Sequence, residues 1–62
     1  YMNTDIKEAI KTNRIFNYEV AKELGISEPT FYRMLRTNIP ERKREEIFGA
    51  IDKLKIRMAK GG

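Results

Sequence analysis

The sequence predicts an all-α domain of four helices. Three observations carry that expectation. Apolar residues recur at three- and four-residue spacing, the stretches between them hold capping and helix-breaking residues, and no segment alternates with the period of two that a strand needs. A chain of 62 residues holds one domain at most and lies near the lower limit for folding without staples. It contains neither cysteine nor histidine, so disulfides, thiolate sites, zinc fingers and the usual proton shuttle are excluded. Apolar packing of short helices is what remains to hold it.

The first helix is expected over 5–13. Asn3 or Thr4 can cap it, Asp5 and Glu8 suit the positive end of its dipole, and Ile6, Ala9 and Ile10 form its apolar face. A second helix is expected over 18–24, capped by Asn17, striped by Val20, Ala21 and Leu24, and stopped by Gly25. The third, over 28–36, has Ser27 as its cap and Pro29 in the first turn, where a missing N–H costs nothing. Phe31, Met34 and Leu35 are its apolar positions. Thr37-Asn38-Ile39 breaks the pattern, and a fourth helix over 40–59 follows, with Ile47, Phe48, Ile51, Leu54 and Met58 as its apolar set. The core is expected to hold Ile10, Val20, Ala21, Leu24, Ile26, Phe31, Leu35 and Phe48.

Thirteen basic residues against nine acidic give a net charge of +4, which favours an anionic partner; nucleic acid is the commonest for a basic domain this small. The longest apolar run, Ile47-Phe48-Gly49-Ala50-Ile51, is far short of the roughly 20 residues that span a bilayer. A soluble cytoplasmic protein associated with the nucleoid is therefore expected, with no membrane, cofactor, metal or small-molecule ligand. No glycine-rich phosphate loop is present and the acidic residues are spread along charged helix surfaces, so no catalytic residue is assigned.

The informative stretch is Asn17 to Arg36, NYEVAKELGISEPTFYRMLR. Ala21 lies four residues before Gly25, and Phe31 and Met34 lie six and nine after it. Two short helices that cross at a wide angle need a small residue where they meet and a permissive φ in the turn. Ala21 and Gly25 meet those needs, while Ile26 plugs the turn and Phe31 and Met34 pin the second helix. These residues resemble the helix-turn-helix of the Cro and phage-repressor family, the lambda-repressor-like or Xre-type fold. The resemblance extends to the helix from Asp5 to Thr12. Beyond Thr37 the chain departs from the family pattern, because one unbroken charged helix stands where two short ones are usual.

The resemblance implies a bacterial or phage-type transcriptional regulator whose helix after Ser27 enters the major groove of double-stranded DNA. Glu28, Thr30 and Arg33 are then the base contacts, Arg33 foremost because arginine can bond guanine O6 and N7 together. Asn17, Tyr32, Arg36, Thr37, Asn38, Arg42 and Lys43 are the phosphate contacts. Pro29 stands where family members often carry a base-reading polar side chain. Glu28 can equally favour the helix dipole, and Arg42 and Lys43 can equally belong to a solvated face of i,i+3 and i,i+4 pairs. The rival function is a protein-interaction module of a mobile element built on the same fold. Leu54 and Met58, near the end of a helix about 30 Å long, are the expected contacts of a weak symmetric homodimer.

Overall fold

The computed structural model describes residues 3–61, apart from the side chains of Met58 and Lys60. Four helices and no strand are found among them: α1 (Thr4–Thr12), α2 (Asn17–Leu24), α3 (Glu28–Met34) and α4 (Glu41–Gly61). The all-α, four-helix expectation is met. Helix α4 is the spine, with α2 and α1 packed along it and α3 attached to α2 through a short turn.

The helix ends differ from the expected ones for local reasons. Asn3 takes the cap position of α1 at φ 59°, but its side chain makes no cap hydrogen bond and reaches across the domain instead. Asn17 opens α2 rather than capping it, because the extended Phe16 holds the cap position. The Phe16 N–H donates to Glu19 Oε1 at 3.0 Å, half of a capping box, since a phenyl ring cannot accept the reciprocal bond. Helix α3 ends two residues early. Its last N–H groups, those of Arg36 and Thr37, turn to the carbonyls three residues back, Arg33 and Met34, and tighten the final turn.

Two left-handed residues set the angles between helices. After α1, the Ile15 N–H bonds Ile10 O and the Arg14 N–H bonds Lys11 O, a Schellman closure that places Arg14 at φ 56°. After α2, the Ile26 N–H bonds Ala21 O and the Gly25 N–H bonds Lys22 O, with Gly25 at φ 78°. The first closure seats Ile15 in the core beside Ile10, and the second seats Ile26 at its edge.

The core is wholly apolar among the described residues. Ile6, Val20, Phe31 and Ile47 are fully buried, and Ile10, Ile15, Ala21, Leu35, Ile39, Ala50, Ile51 and Leu54 complete it. Of the expected core residues, Leu24, Ile26 and Phe48 are only half-buried and pack against it from outside. Phe48 lies at the rim, beneath the Arg44 guanidinium at 5.9 Å from the ring centroid.

Leu54 corrects the expectation of an overhanging helix end. It is 5% exposed and belongs to the core, so it offers no free surface for a dimer. Helix α2 lies alongside this part of α4, joined there by Arg57 Nη2 and Glu23 Oε1 at 3.2 Å. The Met58 side chain lies outside the described residues.

Three substitutions test this packing. Gly25→Ala should cost about 1 kcal/mol through its φ alone, because an added Cβ would meet nothing within 4 Å. Arg14→Gly should stabilise by a few tenths to about 1 kcal/mol, the relief of a left-handed non-glycine residue outweighing the entropy of glycine. Urea melts of these first two variants should move in opposite directions. Leu54→Ala should cost about 2–4 kcal/mol in the same assay, and an unchanged midpoint would place Leu54 outside the core.

Candidate nucleic-acid interface

Helix α3 is held from three sides. At its start, Ser27 Oγ accepts the Thr30 N–H at 3.3 Å and Pro29 stands in the first turn. Along its inner face Phe31 and Leu35 are buried. At its far end Asn3 acts as a tie from outside the helix: Nδ2 donates to Leu35 O at 2.8 Å and to Thr37 O at 3.0 Å. Asn3 Oδ1 in turn accepts from Arg44 Nη1 at 3.1 Å. Arg44 also pairs with Asp5 and covers Phe48, so one arginine joins α4 to the start of α1 and, through Asn3, to the end of α3.

Successive residues of a helix turn by about 100°, so Phe31 inward puts Pro29, Tyr32 and Arg33 outward, and the tightened turn after Met34 carries Leu35 inward and Arg36 outward. All four are exposed. Among the described residues neither Arg33 nor Arg36 has an ion-pair partner, whereas Lys43, Arg44 and Arg57 each do. The outward face of α3 therefore presents two guanidinium groups free to bind an anion.

Beside this face runs an open groove of about 490 Å³ between α1, the start of α2 and α3. Ile10, Ile15 and Leu35 lie at its base, and Asn17, Glu28 and Tyr32 line it. Four residues that sequence reasoning passed over also line it: Lys7, Lys11, Phe16 and Tyr18. The Phe16 and Tyr18 rings stack with centroids 5.5 Å apart and planes 15° from parallel. Lys7 and Lys11 were legible as one face of α1 from their i,i+4 spacing, but which element that face meets is a tertiary fact.

The remaining site residues are differently placed. The Thr30 hydroxyl lies 2.7 Å from Ser27 Oγ and belongs to the cap, leaving its methyl group as the part free to touch a ligand. The Thr37 hydroxyl donates to Met34 O at 2.8 Å and so closes α3. Glu28 and Asn17 are half-buried, one at the start of α3 and one at the start of α2. Asn38 is exposed on the segment that leads into α4, and Arg42 is exposed in the first turn of α4. Lys43 stands 3.9 Å from Glu46 in an i,i+3 pair, the solvated-face arrangement weighed from the sequence.

Compared with protein-family models, curated proteins and solved structures, the chain matches none. No helix among the described residues is long and apolar enough to cross a membrane.

The Asn3 tie should be measurable apart from any ligand. Asn3→Ala removes three hydrogen bonds and should lower stability by about 1–2 kcal/mol, with the α3 C-terminal amides exchanging faster than those of α2. Uniform loss of protection across the domain would show that the tie secures the whole fold and not the end of α3.

Proposed function

We propose that this domain binds double-stranded DNA through the outward face of α3, as a small transcription regulator of bacterial or phage type. The observation that carries this reading is the pair Arg33, in the last turn of α3, and Arg36, in the tightened turn that closes it, both exposed, without an ion pair among the described residues, and on a segment anchored at both ends. The resemblance of residues 17–36 to the Cro and phage-repressor motif supports the same reading.

A helix of seven residues is about 10 Å long, a length that lies within a major groove about 12 Å wide. In that position Arg33 reads guanine through O6 and N7, and the Thr30 methyl group meets a thymine methyl. Arg36 and the Tyr32 hydroxyl take phosphates. Asn17, at the first turn of α2, takes a phosphate with the helix-end amides beside it. Glu28 accepts from a cytosine amine or stays with the helix dipole. Thr37, Asn38, Arg42 and Lys43 add backbone contacts on the flank, each neutralised phosphate steepening the salt dependence. Leu54 is committed to the core, so this reading does not use it as a contact between copies.

The test is a titration against specific and random duplexes at two salt concentrations. Arg33→Ala should weaken specific binding by about 1–3 kcal/mol and leave random-duplex affinity nearly intact. Arg36→Ala should weaken both alike and flatten the salt slope by about one. Absence of duplex binding at low salt would remove the proposal and favour a protein partner for the same face.

A further inference from the structure

The groove beside α3 shares Asn17, Glu28 and Tyr32 with the duplex reading, but that reading leaves its apolar base and its stacked rings unused. A duplex presents hydrated phosphates and sugars on its outside and keeps the flat faces of its bases stacked within. The groove offers the reverse: an apolar base formed by Ile10, Ile15 and Leu35, with flat aromatic rings at its edge. Phe16 is 63% exposed and Tyr18 54%, although they stack on one another, and Tyr32 keeps 46% of its surface open. Large aromatics left this open at a concave site need an explanation beyond packing, since none of the three belongs to the core.

From this we infer that the groove binds an unstacked nucleobase of single-stranded nucleic acid, with the flanking phosphates held by Lys7 and Lys11. The Phe16–Tyr18 stack is a platform that a third ring can extend, and aromatic stacking tolerates any base because every base has a π-face. The two lysines stand one helical turn apart on α1 and have no ion-pair partner among the described residues, so their charge is available to a strand running along the groove. Asn17 and Glu28 bring an amide and a carboxylate to the same space, acceptors and donors suited to the edge of a base. That carboxylate also decides between partners. Both an acidic peptide and a strand offer anions to the lysines, but a base adds amine hydrogens for Glu28 and a flat face for the Phe16–Tyr18 stack, which acidic side chains lack. This binding goes beyond the duplex reading and does not depend on Arg33.

The experiment is fluorescence anisotropy with three labelled probes at low salt: a 12-nucleotide single-stranded DNA of mixed sequence, an abasic strand of the same length and charge, and a duplex. The mixed strand should bind about tenfold or more tightly than the abasic one. Phe16→Ala with Tyr18→Ala should erase that difference while circular dichroism and duplex affinity stay unchanged. Phe16→Tyr with Tyr18→Phe should retain it. Lys7→Gln with Lys11→Gln should weaken both single strands alike and reduce their salt slope. Equal affinity for mixed and abasic strands, or a mixed-strand affinity indifferent to the double alanine variant, would overturn the inference while leaving the duplex proposal standing. Failure of Arg33→Ala to alter duplex specificity would count against the duplex proposal alone. A leucine-containing acidic peptide that binds in an aromatic-dependent way where the mixed strand does not would assign the groove to a protein partner.

Discussion

The burial of one stripe of α4 holds the other three helices in place. Ile47, Ala50, Ile51 and Leu54 are all nearly or fully buried, and through them α4 contacts α1 and α2 along its length. Burying an isoleucine or leucine side chain contributes about 1.5–3 kcal/mol, whereas an exposed ion pair contributes about 0.2–1. In a chain without disulfides or thiolate metal sites, such burial is the largest stabilising contribution available. Helix α3 benefits at second hand. It is joined to α2 by the turn at Gly25, and its Phe31 completes the core that the α4 stripe begins.

Four of the six arginines form two contrasting pairs, one committed to the scaffold and one to the proposed site. Arg44 and Arg57 each join elements far apart in sequence, Arg44 to Asp5 and Asn3, Arg57 to Glu23. Their charge is balanced inside the fold. Arg33 and Arg36 have no such partner among the described residues, and the backbone that carries them is fixed by the Ser27 cap and by the Asn3 tie. A free guanidinium on a rigid helix loses less entropy on meeting a phosphate or a guanine edge than one on a loop. The proposed interface is thus a by-product of where the scaffold does not use its charge.

Much of the fold was legible along the chain. Ser27 and Pro29 mark the start of α3, Gly25 the end of α2, and the apolar spacing of α4 its buried side. The misreadings share one cause. Asn3 and Asn17 are good caps by type, yet tertiary bonding claimed the first and the extended Phe16 displaced the second. Arg14 gives no glycine-like signal for its left-handed conformation, because the Schellman closure around Ile15 imposes it from outside the residue. Leu54 was expected to overhang because length alone places the end of a helix, while its burial depends on α2 lying alongside.

By itself the sequence determined the helical class, the Ser27 cap and the Gly25 turn within residues 17–36, and the excess of positive charge. These are local properties, set by propensity, spacing and side-chain type within a turn or two. Only the tertiary structure decided which cations stay unpaired and that Lys7 and Lys11 share a groove with Phe16, Tyr18 and Tyr32. It also decided that Leu54 lies inside. Each of those facts depends on which faces of distant helices meet. That is governed by the summed burial of the whole core, which no single segment of the chain specifies.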